Sequence, residues 1–256
     1  MKLKEILNKL EEVAPVALSD EFCRKYKMYD NSGIIIDCKE EIRGALFSLD
    51  LSSKAIAEAK RRGFNLIVTH HPAIFGGISR ITADDNIGTC LREGISVISM
   101  HLNFDAAPAG IDYHLMCGLG GKEAEILDDV TNGGYGRVYG VDAMKFGELE
   151  DIVRKNFNTD RALFYGDKNR RVKKIASFCG AGCDNKAMDF AKSNGADVFV
   201  SSDMKHHEIA GLLEMGINVI HLTHYSAENY GFNKIYTKIS SAFSIPTAYF
   251  ADKDLH

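Results

Sequence analysis

Apolar residues in the first third of the chain fall into two kinds of run. Leu3, Ile6, Leu7 and Leu10 recur at spacings of three and four, one face of a helix, and residues 1–30 read as helical with Pro15 closing the first segment. Short aliphatic runs then take over: Ile34-Ile35-Ile36 behind Ser32-Gly33, Ile42–Leu49 ending at Asp50, Phe64–Thr69, and Ile95–Met100. These have the length and β-branching of strands. Between them, Ser52-Ser53 opens an alanine-rich helix over Lys54–Arg62 that Gly63 stops, Ile74–Gly77 is a glycine-broken loop, and Asn86–Glu93 reads as helix. Strand and helix alternating at this pace predict βαβ units and a largely parallel sheet.

From about Gly118 the pattern changes. Thr131-Asn132-Gly133-Gly134-Tyr135-Gly136 is rich in turn formers and marks a candidate boundary. Beyond it, Gly136–Val141, a helix at Glu148–Phe157 and the basic Lys168–Lys174 leading into Ile175–Cys179 suggest a smaller α/β insertion. A helix over Asn185–Ser193, a strand at Asp197–Val200, a helix at 206–215 and a strand at 217–222 follow, and His224 opens the last long helix. The fold class expected is α/β, with two lobes of largely parallel or mixed sheets flanked by helices. Residues 1–125 with 216–256 form one lobe and 126–215 a second, smaller one.

Composition narrows the possibilities. A chain of 256 residues can bury one large core or two smaller ones. With 45% hydrophobic and 26% charged residues it is ordinary for a soluble protein, and its net charge of −4 makes nucleic acid an unlikely partner. No run is long enough for a membrane span, and Met1–Leu7 lacks a signal core. The six cysteines show no paired framework, which fits reduced thiols in the cytoplasm. Cys179 and Cys183 flank Gly-Ala-Gly without a second pair and read as small packing residues rather than a zinc site.

The candidate chemistry lies where three strands end: Thr69-His70-His71-Pro72, His101-Leu102-Asn103-Phe104-Asp105, and His224-Tyr225-Ser226-Ala227-Glu228. Carboxyl ends of parallel strands line the ligand crevice of such folds, so distant segments can meet in the cleft as one cluster. Pro72 keeps His71 extended and stops a helix from starting there. His224 and Glu228 are four apart, on one face of a helical turn. Asp105 adds a second carboxylate able to bridge. Two divalent ions bring four positive charges and the two carboxylates cancel two, leaving a cationic site suited to hydroxide and to phosphate or another anion. Imidazole and carboxylate donors suit Zn, Fe, Mn, Co or Ni without distinguishing them. His101 reads as a ligand, a partner hydrogen-bonded behind one, or a proton-transfer group. His206 and His207 read as a polar helix start with Asp203 as its cap, His114 as surface or packing, and His221 as a core histidine.

Together these motifs resemble the GTP cyclohydrolase I type 2 homologue family, the NIF-three-like or YbgI-like dinuclear-metal-centre hexamer proteins. The resemblance rests on Thr69-His70-His71-Pro72, on His101–Asp105 with Gly110-Ile111-Asp112, and on His224–Glu228, and it spans nearly the whole chain. It implies His70, His71, Asp105, His224 and Glu228 as ligands of two divalent ions, with Glu228 or Asp105 bridging. It implies a hydrolase acting on a nucleotide or similar anionic metabolite through metal-bound hydroxide, in a homohexamer. The alternative is a non-catalytic, metal-binding ring that serves as a scaffold or regulatory partner-binder. Ser201-Ser202-Asp203 departs from the Thr-Gly-Asp or Thr-Gly-Glu that members often carry.

Overall fold

The computed structural model describes residues 1–38 and 41–255; His256, set aside above as terminal, lies outside them. Contacts divide the chain into two units, Met1–Ala107 with Phe232–Asp252, and Pro108–Gly231 with Lys253–His256. The first unit carries α1 (Leu3–Glu11), α2 (Val16–Tyr26), β1 (Gly33–Ile36), β2 (Ala45–Ser48), α3 (Ser53–Arg62), β3 (Leu66–Thr69), α4 (Asn86–Arg92), β4 (Ser96–Ser99) and α5 (Leu102–Ala106). The second carries α6 (Ile111–Gly118), β5 (Ala124–Val130), β6 (Gly133–Lys145), α7 (Glu148–Phe157), β7 (Leu163–Tyr165), β8 (Arg171–Ser177), α8 (Asn185–Ser193), β9 (Val198–Ser202), α9 (His206–Glu214) and β10 (Asn218–Leu222). Helix α10 (His224–Ile239) follows, and its later residues belong with β11 (Thr247–Phe250) to the first unit.

In the first unit the strand order is β1-β4-β3-β2-β11. The four strands from β4 to β11 run parallel, and β1 is antiparallel at the edge, pairing Gly33 with Ser99. β2, β3 and β4 are buried at every position, as expected of strands covered on both faces. Ile67, Val97 and Leu46 pack with Ala55, Ile56 and Ala59 of α3 in one core, each large side chain contributing about 1.5–3 kcal/mol by leaving water. Helix α3 is delimited as its sequence predicts: the Ser52 hydroxyl accepts the Ala55 amide, and Gly63 closes it at φ 70°. Pro15 plays a different part from the one expected. The first helix already ends at Glu11, and Pro15 caps the start of α2, where its missing N–H costs no hydrogen bond.

The second unit has the order β5-β6-β8-β9-β10-β7, with β8, β9 and β10 parallel and the other pairings antiparallel. Phe178 and Phe199 stack at 4.9 Å within its core, against Val138 and Leu212. The glycine-rich stretch at 131–136, expected as a boundary, is instead the turn of the β5–β6 hairpin: Val130 pairs with Gly133, and Asn132 takes φ 59°. By contacts the units divide after Ala107 and after Gly231. Helix α6 packs on β6 and β8, and β10 hydrogen-bonds to β9, so both fall within the second unit. Among the described residues no helix is long and apolar enough to cross a membrane.

Candidate metal centre

In the first unit, register brings the donors together. Ser48, Thr69 and Ser99 are neighbours across β2, β3 and β4, so Asp50, His70-His71 and His101 all leave the sheet at its carboxyl edge. The chain turns at once after Thr69: the His70 and His71 amides both donate to the Leu49 carbonyl, at 3.1 and 3.0 Å. A hydroxyl relay fixes this turn. The Ala73 amide donates to Ser99 Oγ (3.0 Å), the Ser99 hydroxyl to Thr69 Oγ1 (2.8 Å), and the Thr69 hydroxyl to the His71 carbonyl (2.8 Å). Strand alternation would send two adjacent side chains to opposite faces. Here the imidazoles of His70 and His71 lie 4.9 Å apart, and that of His101 lies 5.1 Å from His70 and 5.9 Å from His71.

Each imidazole has its Nδ1 committed to an oxygen. His70 Nδ1 faces the Met100 carbonyl at 2.9 Å, His71 Nδ1 the Asp50 carboxylate at 2.6 Å, and His101 Nδ1 the Asp30 carboxylate at 2.8 Å. These oxygens accept only, so Nδ1 carries the hydrogen and Nε2 the lone pair of the neutral ring. His70 is fully buried, and its Nε2 lies 3.5 Å from Asp105 Oδ1. Two lone-pair-bearing atoms at that separation call for a proton or a metal cation between them. Donor atoms of His70, His101 and Asp105 all lie within 4.8 Å of one another. Imidazole nitrogens and a carboxylate, each imidazole oriented from behind by an oxygen, are the donor chemistry of transition-metal sites.

Behind this group the chain is well fastened. Ser32 accepts the His101 amide at 2.9 Å and donates to Asp30 at 2.6 Å, while buried Asn103 donates to the Ala14 carbonyl at 2.8 Å. Burial alone would raise the Asp30 carboxyl, but hydrogen bonds from His101 and Ser32 hold it down to about 2. For His101, burial lowers and the Asp30 and Asp105 carboxylates raise; the carboxylates win, and its pKa is raised.

In the second unit one helical turn supplies the donors. His224 Nε2 lies 3.1 Å from Glu228 Oε2, and Glu228 is buried. His224 Nδ1 bonds to Asp203 at 2.6 Å, repeating the arrangement of the first unit. Parallel pairing of Ser202 with Leu222 aligns the ends of β9 and β10 and brings Asp203 to His224. Asp203 therefore is not the cap of α9, as expected. Lys205 is the residue at the cap, and Glu208 accepts its amide at 2.7 Å. His206 and His207 are exposed at that helix start, and His221 is half-buried in β10. His114 is half-buried against the Tyr113 ring.

The Cys179-Gly180 turn closes around this pair. Gly180 has φ 59°, and a Cβ there would stand 2.5 Å from Glu228 Oε1 and 3.4 Å from His224 Nε2. Only glycine fits so close to two donors. Ser202 donates its amide to the Gly180 carbonyl at 3.1 Å and its hydroxyl at 2.5 Å, and the Ser201 hydroxyl joins at 3.1 Å. The serines that depart from the familiar pattern thus hold this turn. From the other side, buried Asp112 accepts the Cys179 and Gly136 amides, both at 3.0 Å, and pairs with buried Arg137. Cys179 and Cys183 are free thiols, and burial beside Glu208 and Asp184 pushes Cys183 up to about 12.

Of the predicted ligands, His70, His71 and Asp105 lie in the first unit and His224 and Glu228 in the second. His101 joins the first set more closely than its sequence position promised. Asp30 and Asp50 were missed, and Asp112 was named in a motif without a role. The profile of Duf34/NIF3 (NGG1p interacting factor 3) matches residues 1–253. The chain belongs to this family. It is 32% identical over 237 residues to a Clostridium perfringens protein named GTP cyclohydrolase 1 type 2 homolog, covering 89% of this chain and 87% of that one. Its fold matches a Staphylococcus aureus hypothetical protein of the same architecture at TM-score 0.84 and 24% identity, over 98% of this chain and 97% of the other. It also matches reduced HcgD from Methanocaldococcus jannaschii at TM-score 0.81 and 27% identity, over 98% of both chains.

Proposed function

We propose that this Duf34/NIF3 protein is a dinuclear metal-dependent hydrolase acting on a nucleotide or similar anionic metabolite. His70, His71, Asp105, His224 and Glu228 serve as the metal ligands. The observation that carries this reading is the shared state of the imidazoles: Nδ1 is held by an oxygen acceptor in His70, His71 and His224, and Nε2 faces a carboxylate in His70 and His224. Two divalent ions, when bound, supply Lewis acidity and an activated water. The protein's own part is to fix the donors. The Leu49 carbonyl and the Thr69–Ser99 relay hold the two histidines on one side of the sheet edge, and Gly180 leaves room for Glu228. His101 gives and takes a proton at Nε2, with Asp30 holding its Nδ1 hydrogen. The assembly that accompanies this reading is a homohexamer in the cytoplasm.

Elemental analysis of purified protein should return two divalent ions per subunit, and His70→Ala with Asp105→Ala should lose them with the fold intact by circular dichroism. Metal-loaded protein given GTP and a nucleotide panel should release formate or phosphate. Formate without phosphate identifies ring opening, and phosphate alone identifies a phosphohydrolase. Bound metal with neither product across the panel would leave the ring-shaped scaffold as the better reading. His101→Gln should keep the metal and lose turnover; lost metal would make His101 a ligand instead.

A further inference from the structure

Two large aromatic side chains of the first unit stand in solvent beside its imidazole group. Phe75 is 56% exposed and Tyr29 59%. The Phe75 ring meets the His101 imidazole at 6.1 Å and 89°, and it meets the Tyr29 ring at 5.9 Å and 89°. Neither ring is spent on the core. Both are nonetheless fastened in place: Asn31 Nδ2 donates to the Ile74 carbonyl at 2.6 Å, tying the segment after Tyr29 to the residue before Phe75. Asp30, next to Tyr29, is the carboxylate that holds His101. Beyond Phe75, a Cβ at Gly76 or Gly77 would meet nothing within 4 Å, so the space there is open. Adjacent exposed apolar groups of this kind are found at ligand-binding grooves.

We propose that Phe75 and Tyr29 form a stacking corner for a planar heteroaromatic ring, of the kind a nucleobase provides, on the substrate of this site. Perpendicular rings suit that task. A flat ring lying on one aromatic face turns its own positive edge toward the face of the other, which is how aromatic groups prefer to meet. The corner adjoins His101 directly, so a ring seated there keeps an attached anionic group near the donor set. This inference rests on the hydrolase reading above and adds to it the part of the substrate that carries no charge.

The test is equilibrium binding of GMP, AMP and ribose 5-phosphate to metal-loaded protein, using wild type, Phe75→Ala, Tyr29→Ala and Phe75→Tyr. Both nucleotides should bind at least about tenfold tighter than ribose 5-phosphate, the scale of one base–aromatic stack. Phe75→Ala and Tyr29→Ala should each erase most of that margin and leave ribose 5-phosphate binding unchanged. Phe75→Tyr should retain it, and metal content should be the same in all four proteins. Equal affinity for nucleotides and ribose 5-phosphate would overturn the corner while leaving the hydrolase reading intact. Failure of all three compounds to bind metal-loaded wild type would overturn both. A changed assembly mass in Phe75→Ala, with nucleotide affinity unaltered, would show the rings to be a contact between copies and overturn the corner.

Discussion

The two units arrive at one arrangement of imidazole and carboxylate by different backbones. In the first, donors come from the ends of separate parallel strands, and hydroxyls and amides of Thr69, Ser99, Ser32 and Asn103 hold the loops between them. In the second, His224 and Glu228 come from one turn of α10, and the effort goes into the Cys179-Gly180 turn packed against them. The difference teaches where each set is vulnerable. Strand-end donors depend on many small hydrogen bonds, each of modest worth. Helical donors come already spaced and depend on a single close approach.

The sharpest way to break the comparison is at Asp112. Asp112→Ala leaves Arg137 buried without its carboxylate and frees two amides, so unfolding free energy should fall by about 3–5 kcal/mol in denaturant titration. A loss below about 1 kcal/mol would show that the turn does not lean on this pair.

Next come the carboxylates behind the imidazoles. Asp50→Ala and Asp203→Ala remove the acceptors of His71 and His224 and should each weaken metal binding by about 10–100-fold, measured by competition with a chelator. Asp50, with its side chain 41% exposed, should cost more than Asp203 at 55%. The reverse order would mean that the helical set depends on orientation more than the strand-end set does.

Asp30 gives a pH signature to the first unit alone. Its folded pKa of about 2 lies below the ordinary carboxylate value near 3.9, so its stabilisation is present above about pH 4 and lost as pH falls toward 2. Metal-free wild type should lose its stability advantage over Asp30→Asn across that window, read from denaturant midpoints at successive pH values. A gap that persists unchanged at pH 2 would sink this assignment.

The smallest effect is expected at Ser202→Gly. It removes one hydroxyl bond to the Gly180 carbonyl while the amide bond stays, so stability should drop by about 0.5–1.5 kcal/mol with metal affinity nearly unchanged.

Much of this site was legible because its signals are local. His70-His71-Pro72 at a strand end and the four-residue step from His224 to Glu228 need no knowledge of the fold. Helix α8 falls at Asn185–Ser193 as the sequence predicted, and the structure adds Asp184 as its cap. What could not be read came from pairing between distant segments. Asp30 lies 71 residues from His101 and Asp50 lies 21 from His71, so only sheet register reveals them as partners. Asp203 was misread for the same reason, since capping is a local rule and its contact with His224 crosses from β9 to the end of β10. The 131–136 glycines looked like a boundary because a tight hairpin and a linker ask for the same residue types.

Gly180 carries a last consequence. In a library of single-residue variants sorted by metal retention, position 180 should tolerate almost no replacement, because even a methyl group would meet the Glu228 carboxylate. Gly76 and Gly77, with open space around them, should accept many. Identical residues would then show opposite freedom to drift, and that contrast would chart the donor set without any metal being seen.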